Sequence, residues 1–244
     1  MYFDSHCHLL KEFYGERLDS VAKEVKEDKT TALNNAVNLE TSLEVLDTFK
    51  KFKWLLPAVG VSPYDAVKNP GEVQAVVELA EDNKDSIYGI GEIGLDLHHF
   101  QKGPDFDCQK KVFAEMLKLA EKLDKPAVIH SRKAEAEVFE MLPSFSCKKV
   151  MHCFLKEKLV RRALDLGCVI SVPTLKSKDR VRILKETPLE VLVFETDSPY
   201  LWNGENKPGN VKSVYENAAE ARGITVDEVV EKVGLNAERL GWMP

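Results

Sequence analysis

The sequence predicts an α/β fold in a single domain, a (β/α)8 TIM barrel over residues 1–244. Short runs of β-forming residues alternate with longer charged runs, and several short runs, such as residues 191–194, are continuously apolar, as in strands buried on both faces. No repeat or linker divides the chain, and its length suits one barrel of about 250 residues. An open doubly wound sheet is the competing fold, but its glycine-rich dinucleotide fingerprint is missing after the first predicted strand.

Eight strands and several helices follow from these patterns. The predicted strands are Tyr2–His6, Thr31–Val37, Trp54–Gly60, Ile87–Glu92, Pro126–His130, Lys149–Cys153, Cys168–Val172 and Val191–Thr196. Helical spacing is clearest over Gly71–Asn83 and Asp105–Leu123. In the second of these helices the apolar positions three and four apart are Phe106, Val112, Phe113, Met116, Leu117 and Ala120. From Asn210 onward we expect two or three short helices, one of which begins at a capping box formed by Thr225 and Glu228.

Composition limits the class of protein. The chain has 34 basic and 40 acidic residues, a net charge of −6, which gives no support to a nucleic-acid packaging role but permits a local positive site. Its five cysteines form no CxxC pair, as expected for reduced thiols. No apolar run approaches the roughly 18 residues of a membrane span, and the first residues lack a basic segment before Asp4. We therefore expect a cytoplasmic monomer with no membrane partner.

Two histidines lie at the end of the first predicted strand. Because side chains alternate along a strand, His6 and His8 should point the same way, with Asp4 on their face and Ser5 and Cys7 pointing away. Two imidazoles about 7 Å apart on one strand can reach a single cation. Taken alone, the pattern equally suits a chance pair in a barrel core.

Four further polar residues end other predicted strands. His130 closes PAVIH, His152 closes KKVMH, Glu92 closes IYGIGE, and Asp197 closes VLVFETD. A carboxylate after apolar strand residues is costly to bury unless it is paired or bound to a metal, although each residue alone could be a rim residue in a salt bridge. The carboxyl ends of barrel strands share one rim, so we expect the four histidines and two acids to meet there.

This set of side chains suits a pair of divalent cations. Imidazole and carboxylate groups bind Zn, Mn, Co or Ni, and Mg through the carboxylates. Six ligands are too many for one tetrahedral catalytic site, and they fit two ions about 3.5–4 Å apart with one bridging carboxylate. With two ions, the carboxylates Glu92 and Asp197 and a bridging hydroxide, the site stays formally positive and attracts a phosphodiester.

The motifs FDSHCHL, GEIGLD, VIHSR, MHCF and ETDSPYL, in this order from residue 3 to residue 201, resemble those of the TatD family of metal-dependent deoxyribonucleases, which are amidohydrolase-like barrels. The resemblance implies a phosphodiesterase that cleaves DNA ends, or a small phosphoester, through a metal-bound hydroxide. The ligands it implies are His6, His8 and Asp197 for the first ion, His130 and His152 for the second, and Glu92 as the bridge. Glu92 and Asp197 are then catalytic, with Asp197 taking the proton of the attacking water.

The sequence predicts the substrate contacts less clearly than the metal ligands. The resemblance places Arg132 near a substrate phosphate, with a surface arginine as the alternative. Tyr64 stands in SPY, where the family often has HPH, and is expected to stack on a base or ribose. Lys207 could replace a family arginine as a phosphate contact, or could be a solvated loop charge. Asp96 is expected to orient the loop that carries His98 and His99.

These departures from the family pattern leave a second function open. Because one barrel and one type of metal site serve many substrates, the alternative is hydrolysis of a small-molecule ester, lactone or cyclic amide. A non-catalytic metal-binding barrel is a third possibility, which the complete ligand set disfavours.

Overall fold

The structure is a computed structural model that describes residues 1–243. Its centre is a parallel sheet whose eight strands are paired in sequence order, so the predicted single-domain barrel is confirmed. The strands are β1 (Tyr2–Cys7), β2 (Thr30–Asn35), β3 (Leu55–Val59), β4 (Gly89–Asp96), β5 (Ala127–Arg132), β6 (Lys149–Met151), β7 (Cys168–Pro173) and β8 (Leu192–Glu195).

Helices cover the outside of the barrel. They are α1 (Lys11–Tyr14), α2 (Leu18–Glu27), α3 (Leu39–Lys51), α4 (Pro63–Lys68), α5 (Val73–Asp82), α6 (Pro104–Leu123), α7 (Glu135–Met141), α8 (Val160–Asp165), α9 (Lys178–Glu186), α10 (Lys212–Arg222) and α11 (Val226–Leu240). The predicted apolar stripe of α6 is buried, and the capping box of Thr225 and Glu228 begins α11. Among residues 1–243, no helix combines the length and apolarity needed to cross a bilayer.

The barrel closes between β1 and the segment after β8. Cys7 and Ser198 form a parallel bridge. The backbone N–H of Asp197 donates to the carbonyl of His6 at 2.9 Å, and that of His8 donates to the carbonyl of Ser198 at 2.7 Å. Backbone hydrogen bonds therefore hold His6, His8 and Asp197 in this seam.

A buried carboxylate completes the seam below these bonds. Asp4 Oδ1 accepts hydrogen bonds from the backbone N–H of Thr196 at 2.9 Å and of His6 at 3.2 Å. Its Oδ2 accepts one from the hydroxyl of Thr196 at 2.6 Å. Burial raises the pKa of Asp4 well above its usual range, despite these hydrogen bonds. Asp4 thus joins the first strand to the last.

Strand β1 is irregular where it carries these residues. Its register with β2 shifts between Asp4 and Cys7. The hydroxyl of Ser5 lies 2.7 Å from that of Ser171 in β7 and donates to the carbonyl of Phe194 at 2.9 Å, so Ser5 points into the barrel. The prediction that Ser5 points away was wrong, because a bulged strand does not alternate strictly. Cys7 does point outward, into the apolar layer that includes Leu18 of α2.

The amino end of the barrel is filled by residues from the carboxy-terminal region. The Trp242 ring stacks on Phe3, with centroids 5.4 Å apart, and its indole N–H donates to the carbonyl of Tyr88 at 2.8 Å. The hydroxyl of Tyr215 donates to the carbonyl of Phe3 at 3.0 Å. This end is therefore a packed apolar core, whereas the polar cluster occupies the other end.

Gly94 lets β4 and β5 approach closely. A Cβ at Gly94 would lie 2.0 Å from the carbonyl oxygen of His130, and its φ is +143°. We expect Gly94→Ala to lower the free energy of unfolding by more than about 3 kcal/mol, because strand β4 must move or the backbone must be strained. Urea denaturation followed by far-UV circular dichroism measures the change.

A second glycine provides the control. Gly234 lies inside α11, and a Cβ there would meet nothing within 4 Å. Gly234→Ala should raise the free energy of unfolding by about 0.5–1 kcal/mol, because alanine loses less backbone freedom on folding. Equal stability of the two variants would contradict the close approach described for Gly94.

Candidate metal centre

The six polar residues predicted to share one rim lie together at the carboxyl end of the barrel. They form three overlapping groups whose possible ligand atoms lie within 4.8 Å of one another: His6, His8 and Glu92; His6, His152 and Asp197; and Glu92, His130 and His152. Because the groups share members, the six residues form one continuous cluster. Most of it is buried, and His130 and Asp197 are its more accessible members.

The strand that carries Glu92 has different bounds from those predicted, and this changes the position of Glu92 in the barrel. Strand β4 continues to Asp96, so Glu92 lies inside the strand rather than at its end. The pairing of β4 with β5 is interrupted between Ile90 and Ile93, and the N–H of Glu92 donates instead to the carbonyl of Ala36 at 2.7 Å. A Cβ at Gly91 would lie 2.6 Å from Val128 Cβ, so the chain beside Glu92 has no room for a side chain.

His6 in β1 and His8 directly after it bring their ring nitrogens together. His6 Nε2 and His8 Nε2 lie 3.0 Å apart. The carbonyl of Asn35 lies 2.9 Å from His8 Nδ1, which suits an Nδ1–H donor and leaves Nε2 facing His6 and Glu92. Burial, together with the nearby His152, lowers the pKa of His6 to about 3, so its ring is neutral at pH 7. Although burial opposes it, hydrogen bonding to Glu92 and the charge of that carboxylate raise the pKa of His8. Neutral imidazole is the form that binds metals, and a cation facing both Nε2 atoms would displace a proton held there.

Glu92 lies between the imidazoles. Its Oε2 is 3.2 Å from His8 Nε2 and 3.5 Å from His6 Nε2, whereas its Oε1 is 2.8 Å from His130 Nδ1. Burial alone would raise the pKa of Glu92, but its hydrogen bonds with His130, His6 and His8 lower it well below the usual range. An ionised carboxylate with one oxygen toward each set of imidazoles has the arrangement of a bridging ligand.

Asp197 faces His6 and His8 from the other side. Its Oδ1 lies 3.6 Å from His6 Nε2 and 3.7 Å from His8 Nε2. Burial raises the pKa of Asp197 to about 6. Among the described residues its side chain makes no shorter polar contact, so the second oxygen is free to accept a proton.

Two carboxylates outside the cluster lie behind its remaining histidines. Asp96 Oδ2 is a hydrogen-bond partner of His130 Nε2 at 3.3 Å, whereas Glu195 Oε1 lies 3.0 Å from His152 Nδ1 without hydrogen-bond geometry. Although burial opposes it, hydrogen bonding to Asp96 and Glu92 raises the pKa of His130 to about 10. A carboxylate behind a ligand imidazole fixes its tautomer and ring orientation, a common arrangement around metals.

Sequence reasoning missed Glu195 and gave Asp96 only part of its role. As predicted, Asp96 Oδ1 accepts hydrogen bonds from the backbone N–H groups of His98 at 2.6 Å and His99 at 2.8 Å. Its second contact, with His130, was not foreseen. Glu195 is fully buried at the end of β8, and Ser171 donates to it. An acid directly after the apolar run VLVF was the signal that could have identified it.

In the part of the chain that the structure describes, the predicted substrate contacts make no direct polar contact with this cluster. Arg132 is exposed at the end of β5, and the Tyr64 side chain is 56% exposed at the start of α4. Lys207 instead pairs with Glu24 of α2. Within residues 1–243, no hydrogen bond or ion pair joins these three residues to the cluster, so their roles stay predictions.

Comparisons with known proteins agree with this architecture. A family model described as TatD related DNase matches residues 3–241. The metal-dependent hydrolase MJ1582 of Methanocaldococcus jannaschii is 30% identical over 241 residues, which cover 96% of this chain and 94% of that protein. The human deoxyribonuclease TATDN3 is 29% identical over 259 residues, which cover 97% of this chain and 93% of that protein.

A solved structure shows the same likeness. The crystal structure of YJJV, a TatD homologue from Escherichia coli, matches with a TM-score of 0.86 at 25% identity and covers 98% of this chain and 97% of that one. Since the family model spans nearly the whole chain and the relatives align over almost their full lengths, the protein belongs to the TatD-related DNase family of metal-dependent hydrolases.

Proposed function

We propose that this metal-dependent hydrolase cleaves phosphodiester bonds at DNA ends, using two divalent ions that share Glu92. The observation that carries the proposal is the placement of the two Glu92 oxygens, one toward His6 and His8 and the other toward His130. A carboxylate whose two oxygens face different sets of imidazoles suits a bridge between two ions. The human relative named a deoxyribonuclease supports DNA as the substrate.

The donor set divides between the two ions. The proposed ligands are His6, His8 and Asp197 for one ion, His130 and His152 for the other, and Glu92 for both. Asp96 and Glu195 would keep the second pair of rings oriented through the contacts at 3.3 and 3.0 Å. Zn, Mn, Co, Ni and Mg all accept such donors in some arrangement.

The residues of the chain have separate tasks in the proposed reaction. Divalent ions, when bound, polarise the phosphoryl oxygens and lower the pKa of a water molecule. Asp197 takes the proton of the attacking water, because both oxygens of Glu92 already face imidazoles whereas Asp197 has an unused oxygen. Arg132, which has no carboxylate partner among the described residues, would contact a phosphate. Lys207 could do so only by leaving Glu24.

The first test is metal-dependent hydrolysis. Protein stripped with a chelator and reloaded with Mg, Mn, Co or Zn should shorten end-labelled single-stranded DNA step by step, as read on a denaturing gel. We expect Asp197→Asn to lower the rate by about 10²–10⁴-fold, because the proton acceptor is lost. The matched control is Asp85→Asn, which changes an exposed aspartate before β4, at the opposite end of the barrel, and should leave the rate unchanged.

Two outcomes would count against the proposal. Equal rates for wild type and Asp197→Asn would remove Asp197 from the reaction. A protein that binds metal but shortens DNA with none of the ions would favour the alternative function, and a panel of esters, lactones and cyclic amides would then be the substrates to assay.

The second test counts the ions. Because metal binds the folded state, loading should raise the melting temperature, and isothermal titration calorimetry should give two ions per chain. His6→Ala/His8→Ala should bind at most one ion and lose part of the shift in melting temperature. His98→Ala, which removes an exposed histidine outside the cluster, should still bind two. One ion per wild-type chain would contradict the binuclear site.

A further inference from the structure

The most exposed aromatic side chains of residues 1–243 all lie near one end of the barrel. They are Tyr64 (56%), Tyr200 (50%) and Trp202 (40%). Tyr64 follows β3, and the other two follow β8, so each lies beyond the carboxyl end of a strand, where the cluster lies. Large aromatic rings normally bury most of their surface, so their exposure around one site indicates a ligand with flat apolar faces.

One aromatic pair lies toward the His130 side of the cluster. The rings of Tyr64 and Phe100 are 6.0 Å apart, at an interplanar angle of 57°. Phe100 directly follows His99, whose Nδ1 is 2.8 Å from Asp96 Oδ2. The same Asp96 oxygen is 3.3 Å from His130 Nε2, so this pair is connected to that side of the cluster.

A second pair lies beside His8. The rings of Phe13 and Tyr200 are 5.6 Å apart at 73°, and Tyr200 is 6.2 Å from the ring of His8. His8 and His130 contact opposite oxygens of Glu92. The two aromatic pairs are therefore connected to opposite sides of Glu92.

Positive charge accompanies the first pair. Lys68 Nζ lies 5.7 Å from the centre of the Tyr64 ring, and Arg132 is exposed at the end of β5 with no acidic partner in the described part of the chain. The protein as a whole has a net charge of −6, so this positive charge is local. Aromatic faces beside cationic side chains are the combination that binds unpaired nucleotides.

We propose that Tyr64–Phe100 and Phe13–Tyr200 are two base-stacking sites, which hold the nucleobases on either side of the phosphate that is cleaved. This inference rests on the proposed phosphodiesterase function and specifies its substrate as an unpaired oligonucleotide. Bases inside a duplex already stack on their neighbours and do not present free faces to a tyrosine. A phosphoester without bases would use neither pair.

The test compares two oligonucleotides with the same phosphates. One carries all its bases, and the other has abasic residues on both sides of the scissile phosphate. For the metal-loaded wild type we expect a KM about tenfold or more lower with the bases present. Tyr64→Ala and Tyr200→Ala should each raise KM about tenfold on the first substrate, change kcat little, and leave the abasic substrate unaffected. Tyr64→Phe should restore the wild-type KM, because stacking needs the ring and not the hydroxyl.

A matched aromatic pair at the other end of the barrel gives the control. Phe49 and Tyr88 are 5.7 Å apart at 70°, and Lys53 Nζ is 4.2 Å from the Phe49 ring. Tyr88 lies just before β4, far from the carboxyl rim. Tyr88→Ala should leave KM unchanged on both oligonucleotides, although it removes a ring from a similar set of side chains.

The outcomes separate this inference from the proposed function. Hydrolysis of both oligonucleotides with equal KM, insensitive to Tyr64→Ala, would overturn base stacking and leave the phosphodiesterase intact. If neither is hydrolysed, fluorescence anisotropy of the labelled oligonucleotides on the same protein decides. If the base-containing strand binds more tightly and Tyr64→Ala abolishes the difference, base stacking is supported although the phosphodiesterase function is not. If the two strands bind equally, both base stacking and the phosphodiesterase function are overturned.

Discussion

The short distance between His6 Nε2 and His8 Nε2, 3.0 Å, is the constraint on which the rest of the carboxyl end depends. Two imidazole nitrogens so close repel unless a proton or a cation lies between them, and burial makes the repulsion stronger. The fold holds the rings there nonetheless, through the bulge in β1, the seam with Ser198 and the contact of His8 with the carbonyl of Asn35. The orientation of the two rings is thus set before any ligand binds. Such preorganisation lowers the entropic cost of binding, because the side chains need not be ordered at that moment.

The two ends of the barrel differ in their chemistry. At the amino end, Trp242, Phe3 and their neighbours form a closed apolar core that stabilises the fold. At the carboxyl end, buried imidazoles and carboxylates oppose folding through their desolvation. A barrel can contain both the apolar core and the polar cluster, because its strands are long enough to separate them. Residues of the exposed rim can therefore be substituted without disrupting the core.

The sequence predicted the barrel, its strand order and the six residues of the cluster, because strand ends in a closed parallel sheet must meet at one rim. It predicted less well what depends on irregular backbone. The predicted direction of the Ser5 side chain was wrong because β1 contains a bulge. The position of Glu92 inside β4 depends on an interruption in the pairing of that strand with β5, which no periodicity of the sequence reveals. Lys207 was expected to be a phosphate contact or a solvated loop charge, but it pairs with Glu24. This partner is far away in sequence, and a single sequence offers no pattern for such pairs.

The seam formed by Asp4 and Thr196 joins residues that are 192 positions apart. Closing so long a loop is slow and entropically costly, so this contact is expected late in folding. The cluster takes His6 and His8 from one side of the seam and Asp197 from the other. A partly folded chain therefore lacks a complete site, and hydrolytic capacity becomes a property of the finished barrel alone. Nascent or damaged copies of the chain would then be inactive as hydrolases, without any inhibitor to restrain them.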